Sequence, residues 1–148
     1  MKICICCSLS FTDEVFAITK ELEKLGHEVL LPNGIINRLI EKEDFDPIKA
    51  KTETNAVKNH IEKIREADTV LVCNYTKNGV KNYIGANTFL EISFAYYFDK
   101  PIYSLNSLPD FGYINDEIQS FNIILIIFRK RFFCIIILFF YYIKEKIP

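Results

Sequence analysis

Short apolar runs alternate along the chain with segments whose apolar residues repeat at helical spacing. The first run, Lys2–Cys7, is rich in Ile and Cys and predicts a strand that is covered on both faces. The next segment has Thr12 as its predicted N-cap and Gly26 as its stop, which is typical of an amphipathic helix. A second apolar run, His27–Leu31, completes a predicted βαβ unit.

The same alternation continues to about residue 127. It predicts helices near Ile35–Asp46 and over Lys51–Glu66, Asn87–Phe98 and Asn115–Ser120, and strands over Thr69–Cys73, Ile102–Leu105 and Ile123–Ile127. This order indicates an α/β fold with a doubly wound parallel sheet of about five strands, and the flavodoxin-like order 2-1-3-4-5 is the simplest assignment. Ligands bind such sheets beyond the carboxyl ends of the strands, where the first and third strands are neighbours. We therefore expect the loops Cys7–Thr12 and Asn74–Asn87 to meet at a ligand site.

Composition narrows the class of protein. Half of the residues are hydrophobic, a quarter are charged, and the net charge is -1, so the chain offers no general field for a nucleic-acid polymer. Five cysteines without a secretory signal indicate a reducing, cytoplasmic location, and their odd number argues against a disulfide scaffold. The cysteines of the predicted strands are interpreted as small core residues. A metal site is not expected, because the two histidines are distant in sequence.

The last part of the chain differs in character, so residues 1–120 are assigned to the α/β domain and residues 121–148 to a hydrophobic C-terminal segment. The unbroken apolar run Phe132–Ile143 is shorter than the roughly 20 residues of a spanning helix, and Arg129–Arg131 interrupts any longer run. Three interpretations stay open: a last strand with a helix packed on the sheet or on a partner subunit, an interfacial anchor, or a non-native tail from a shifted reading frame. The narrow vocabulary of Ile, Phe, Tyr, Leu and Lys favours the third.

Glu91 is the first candidate for chemistry, because it lies near the start of the helix Asn87–Phe98 on an otherwise apolar turn. The helix dipole would help to keep such a carboxylate ionised, and ionised carboxylates act as nucleophiles at sugar anomeric carbons. The plainer interpretation is an acid on a solvated helix face, and spacing alone favours it.

A set of spaced residues around Glu91 resembles the nucleoside 2-deoxyribosyltransferase-like superfamily, which includes the 2′-deoxynucleoside 5′-phosphate N-hydrolases. The residues that carry the resemblance are Asp68, Asn74, Gly85, Glu91, Ala95 and Lys100–Pro101. The closest likeness is to a branch with the pattern N-Y-I-G-x-N-T-F-L-E, present here as Asn82–Glu91. The resemblance extends roughly from Met1 to Ile118, and its specific part is the loop before the glutamate.

The resemblance implies roles for several residues. Glu91 corresponds to the glutamate that attacks the sugar C1′ and forms a glycosyl-enzyme intermediate, from which water or a second base takes the sugar. Gly85 corresponds to a contact with the sugar-phosphate side of the ligand through backbone N–H groups. His60 stands where better-known members have an aspartate that protonates or orients the leaving base. A histidine can act as a general acid near neutral pH, so the resemblance makes His60 the candidate catalytic acid. Ser10 stands where the monophosphate hydrolases have an arginine, which weakens the expectation of a phosphate.

Other residues are candidates for ligand binding. Ser8 and Ser10 follow the first strand at a helix N-terminus, where they could bind a phosphate or a sugar hydroxyl, or simply cap the turn. Asn74 and Asn87 are candidates for hydrogen bonds to the ribose. His60, judged alone, is better explained as a surface helix histidine.

The sequence therefore predicts an enzyme that cleaves or transfers the N-glycosidic bond of a (deoxy)nucleoside or its monophosphate, as in nucleotide salvage. No metal or organic cofactor is required, because a carboxylate and binding energy suffice for the reaction. The resemblance implies a homo-oligomer. The alternative is a flavodoxin-like domain that binds a nucleotide or nucleoside without turnover, as a sensor; the departures at Ser10 and His60 favour it. Membrane attachment, a third idea, depends only on the C-terminal segment.

Overall fold

The computed structural model of the chain describes residues 1–40, 55–110, 112 and 114–126. Its centre is one sheet of five parallel strands in the order β2-β1-β3-β4-β5. The strands are β1 (Lys2–Cys7), β2 (Glu28–Leu30), β3 (Thr69–Cys73), β4 (Ile102–Ser104) and β5 (Ile124–Leu125). The predicted α/β class and the flavodoxin-like strand order are confirmed.

Five helices connect or follow these strands in the described residues. They are α1 (Thr12–Lys24), α2 (Asn33–Ile40), α3 (Ala56–Glu66), α4 (Ala86–Tyr97) and α5 (Asn115–Ser120), with a short 3₁₀ turn at Leu9–Phe11. The expected continuations over residues 41–46 and 51–54, and the segment 127–148, lie outside the described residues. The division of the chain at residue 120 stays a prediction.

The two faces of the sheet carry separate apolar cores. On one face, alternate β1 residues such as Ile3 and Ile5 pack with Val15 and Leu22 of α1 and with Ile35 of α2. On the other face, the intervening β1 residues pack with apolar residues of α3, α4 and α5. Successive side chains of a strand point to opposite faces, so a central strand covered on both sides must be apolar throughout. This explains why β1 and β3 read as continuous apolar runs.

The start of α1 differs from the prediction. Thr12 is not its N-cap, because Phe11 occupies that position and the Thr12 hydroxyl donates to the Leu9 carbonyl at 2.8 Å. The side-chain cap lies one turn earlier, where the Ser8 hydroxyl accepts from the Ser10 N–H at 3.4 Å. The hydroxyl groups of Ser8 and Thr12 therefore form their hydrogen bonds within the preceding 3₁₀ turn and do not cap α1. The other end agrees with the prediction, since Gly26 has a φ of +79°.

The start of α4 matters more for function. The helix begins at Ala86 with Gly85 as its N-cap, so Glu91 lies in the second turn rather than near the N-terminus. The helix dipole acts mainly within the first turn, so it supports a charge on Glu91 less than expected. No helix among the described residues is long and apolar enough to cross a membrane.

Candidate active site

A cavity of about 350 Å³ lies beyond the carboxyl ends of β1 and β2, beside the N-terminus of α4. Its wall includes six of the seven predicted site residues, which are Ser8, Ser10, His60, Gly85, Asn87 and Glu91. The loop after β1 supplies the serines, α3 supplies the histidine, and the start of α4 supplies the other three. The cavity is thus located where a doubly wound sheet binds its ligands.

Glu91 and His60 form a buried pair in this wall. The Glu91 Oε1 and the His60 Nε2 are 3.8 Å apart, and the two residues are 8% and 3% exposed. The interpretations of Glu91 as an acid on a solvated face and of His60 as a surface histidine are both wrong. Side chains of this type are rarely buried without a partner, and each lies within ion-pair distance of the other.

The His60 ring is surrounded by groups that favour its charged form. Burial alone lowers the pKa of His60, but a hydrogen bond with Cys4 and the negative charge of Glu91 raise it by more, so the net pKa is above its ordinary value. The Nε2 atom also lies 3.1 Å from the Ile5 carbonyl oxygen. The Nδ1 atom is buried and has no hydrogen-bond partner among the described residues. His60 is therefore held through Nε2, on the side that faces Glu91 and β1.

Two cysteines of β1 complete the surroundings of His60. The sulfur atoms of Cys4 and Cys6 lie 3.8 Å and 3.9 Å from Nε2. A hydrogen bond from Cys6 is the largest cause that lowers the pKa of Cys4, to about 6, whereas burial raises the pKa of Cys6. The sequence interpretation of these cysteines as core residues is correct for their burial, but it missed their contact with His60. The contact brings together strands and helices that are distant in sequence, so spacing gave no signal.

Two cations also reach the cavity, and sequence reasoning missed both. The Lys77 ammonium donates to the Ser8 hydroxyl at 3.1 Å and lies 4.9 Å from the centre of the Tyr83 ring. The Arg38 guanidinium donates to the Leu9 carbonyl at 2.8 Å. Both side chains line the cavity beside the loop that follows β1. Only the fold brings these residues to the same cavity as Ser10, the position at which the resemblance implies an arginine.

The first turn of α4 forms another part of the wall. The N-cap residue Gly85 makes no side-chain capping bond, and it lines the cavity together with the next three residues. A Cβ atom at Gly85 would lie 2.9 Å from the Tyr83 hydroxyl oxygen. Glycine therefore allows the tyrosine ring to pack tightly against the helix start, as a close backbone approach requires.

Asn74 is the predicted site residue that the structure does not bring to the cavity. Its side chain accepts from the Asn106 N–H at 2.9 Å and donates to the carbonyl oxygens of Asn106 and Ser107, each at 3.0 Å. It is fully buried and ties the end of β3 to the loop after β4. Tyr75 also packs, edge-on against Phe11 with ring centres 5.4 Å apart.

Comparisons with known proteins agree with the fold. No protein-family model matches the chain, and no curated protein does. Among solved structures, the CMP N-glycosidase BcmB of Clostridium botulinum matches with a TM-score of 0.52 at 18% identity, covering 88% of this chain and 91% of that one. A 2-deoxyribosyltransferase of Bacillus psychrosaccharolyticus matches with a TM-score of 0.48 at 22% identity, covering 71% and 72%. The flavoenzyme FerB of Paracoccus denitrificans matches with a TM-score of 0.46 at 11% identity, covering 87% and 76%.

These identities are low, so the comparisons show a common fold. The expected likeness is confirmed as a likeness of fold to a CMP N-glycosidase, and the superfamily itself stays a prediction.

Proposed function

We propose that the chain cleaves or transfers the N-glycosidic bond of a nucleoside or nucleoside monophosphate, with Glu91 as the nucleophile. The observation that carries the proposal is the buried Glu91 in the cavity wall, with His60 at 3.8 Å. A carboxylate buried at the switch point of a doubly wound sheet is costly to keep there, and such groups cluster at functional sites. The sequence pattern around Glu91 and the shared fold of a CMP N-glycosidase support the same reaction.

In this reaction a carboxylate oxygen of Glu91 attacks the sugar C1′. The C1′–N bond breaks, its electron pair leaves with the base, and the base takes up a proton from water. The product is a glycosyl ester on Glu91. Water then attacks C1′ and releases the sugar, or a second base attacks and forms a new nucleoside. The transition state has oxocarbenium character, which a nearby carboxylate stabilises.

His60 acts in this proposal by positioning Glu91 and not as the acid for the base. Its Nε2 lies between the Glu91 carboxylate at 3.8 Å and the Ile5 carbonyl at 3.1 Å. A proton on this nitrogen therefore faces the nucleophile and β1. The raised pKa of His60 keeps its positive charge to higher pH than in a free histidine. This charge orients the carboxylate where the helix dipole is weak.

The cavity favours a substrate with a 5′-phosphate over a free nucleoside. Lys77 and Arg38 supply two cations at the cavity wall, and Ser8 supplies a hydroxyl that already accepts from Lys77. Oxygen anions bind well to such charged donors. Arg38 and Lys77 compensate for the serine at position 10, although they come from other elements of the chain.

The test is base release from a panel of nucleosides and their monophosphates, with and without an acceptor base. We expect release from at least one monophosphate, and a loss of about a thousandfold or more in Glu91→Gln, because a nucleophile is removed. Glu66→Gln, which removes an exposed carboxylate at the end of α3, is the matched control and should keep full activity. Tight nucleotide binding without base release in either protein would reject the enzyme and support a sensor.

A further inference from the structure

A cluster of soft ligand atoms lies directly behind the Glu91–His60 pair. The sulfur atoms of Cys4 and Cys6 and a ring nitrogen of His60 all lie within 4.8 Å of one another. The two cysteines are fully buried and the histidine is 3% exposed. The strand period of two places both sulfurs on the same face of β1, and α3 covers that face with His60. The three groups are therefore brought together by the fold itself.

The spacing of these atoms matches that of a tetrahedral metal site. Zinc bonds of about 2.3 Å to sulfur and about 2.0 Å to nitrogen put sulfur and nitrogen ligands roughly 3.5 Å apart in a tetrahedral site. The two observed distances from the His60 nitrogen, 3.8 Å to Cys4 and 3.9 Å to Cys6, exceed this by a few tenths of an ångström. Small side-chain rotations close that difference, so the main chain can stay as it is.

Glu91 faces the same nitrogen from the cavity side. Its Oε1 lies 3.8 Å from the His60 Nε2, again close to the separation of two ligands on one metal ion. Both residues line the cavity, so an ion that enters the cavity would meet them before the two buried sulfurs. Two thiolates, one imidazole and one carboxylate are ligands typical of Zn²⁺, and sulfur ligands exclude hard cations such as Mg²⁺.

We propose that Cys4, Cys6 and His60 bind a zinc ion, with Glu91 as the fourth ligand, and that zinc inhibits the enzyme by occupying the nucleophile. On binding, each thiol that coordinates releases its proton to the solvent, and His60 releases the proton on Nε2, coordinates through that nitrogen and keeps its other proton on Nδ1. The Glu91 oxygen on the metal is then no longer available to attack C1′. The binding claim is independent of the proposed function, whereas the inhibition rests on it.

The test of binding uses Co²⁺ as a spectroscopic substitute for Zn²⁺ in the full chain. Thiolate ligands give cobalt a sulfur-to-metal charge-transfer absorption that nitrogen and oxygen ligands do not give. We expect this absorption to saturate at one Co²⁺ per chain and to disappear when one equivalent of Zn²⁺ is added. Its absence from the unaltered protein would overturn the site without any variant.

Variants then locate the site. In Cys4→Ser and Cys6→Ser we expect the charge-transfer absorption to fall and zinc to bind more weakly by about a hundredfold or more, since even an outer-shell partner can cost that much. Cys73→Ser is the matched control, because Cys73 is equally buried but belongs to the core on the opposite face of the sheet. Its cobalt spectrum should be unchanged. Equal loss in the control and in the cluster variants would contradict the assignment.

Activity assays distinguish the claim that zinc binds from the claim that bound zinc inhibits the enzyme. Base release should fall with zinc at the concentration that displaces cobalt and should return when a chelator is added. Full base release from the protein saturated with one zinc would overturn the inhibition, even with the site confirmed by cobalt. Absence of base release at any metal concentration would reject the proposed function, and the cobalt spectra would still decide on the metal site.

Discussion

Gly85 is the position at which a substitution should lower catalysis while leaving the folding stability nearly unchanged. Its φ of −83° and ψ of 170° are accessible to alanine without strain. A Cβ atom there would lie 2.9 Å from the Tyr83 hydroxyl oxygen and 3.1 Å from a ring carbon. Comfortable contacts are about 3.5 Å, so Gly85→Ala displaces the end of the tyrosine side chain by roughly half an ångström. The ring can move because it borders the cavity.

This displacement predicts a loss of catalysis with a stable fold. A misplacement of about 1 Å costs about a hundredfold in rate, so half of that should lower kcat/KM about tenfold. The free energy of unfolding should change by less than about 0.5 kcal/mol, because alanine is a poorer N-cap than glycine but also reduces the conformational freedom of the unfolded chain, and the two effects oppose each other. Base-release kinetics give the first quantity and urea denaturation gives the second.

Gly26→Ala is the matched control, for which the opposite result is expected: a loss of folding stability with unchanged catalysis. Gly26 has a φ of +79°, and a Cβ atom added there would meet no other atom within 4 Å, so alanine at this position is strained but not crowded. We expect a loss of about 1 kcal/mol of unfolding free energy with unchanged kcat/KM, because Gly26 ends α1 away from the cavity. Unchanged kcat/KM in Gly85→Ala, or a larger stability loss there than in Gly26→Ala, would refute the reasoning.

Three further substitutions test other parts of the site. Asn74→Ala removes three buried hydrogen bonds and should lower the unfolding free energy by about 2–3 kcal/mol in urea denaturation; an unchanged midpoint contradicts its structural role. His60→Gln, assayed with a chelator, should lower kcat about 10- to 100-fold with KM within about twofold, because Glu91 loses the group that orients it; a change in KM alone contradicts positioning. Lys77→Met should raise KM about tenfold or more for a monophosphate and leave a nucleoside unaffected, since a charged hydrogen bond is lost; equal effects on both exclude a phosphate contact.

The sequence was sufficient to predict the sheet because each strand is short, apolar and bounded by polar turns. Lys2–Cys7 and Thr69–Cys73 were predicted with the bounds that the structure gives them. Alternation of strands and helices then restricts the topology to a few arrangements, and the simplest was the observed one. The prediction of Thr12 as the N-cap of α1 was wrong because a short 3₁₀ turn precedes the helix. Such a turn has no hydrophobic periodicity from which it could be predicted.

The site was less predictable because the burial and the contacts of its residues depend on how helices and strands that are distant in sequence pack together. Glu91 is buried since α3 packs beside α4, and His60 comes from a different helix, earlier in the chain. Asn74 directly follows β3 and Asn87 lies in the first turn of α4, but only Asn87 lines the cavity. Cys4 and Cys6 could be placed on one face of a strand from sequence, but their partner His60 could not. Burial and long-range contacts decide which polar residues are functional.

The most direct test of the central claim is to detect the glycosyl ester on Glu91. The chain is mixed with a reactive nucleoside monophosphate, quenched with acid within the first turnovers, and examined by intact-mass and peptide mass spectrometry. We predict an added mass equal to the sugar phosphate without its base, on the peptide that contains Glu91, and no adduct in Glu91→Gln. Base release at the full rate in Glu91→Gln, or an adduct on another residue, would contradict Glu91 as the nucleophile.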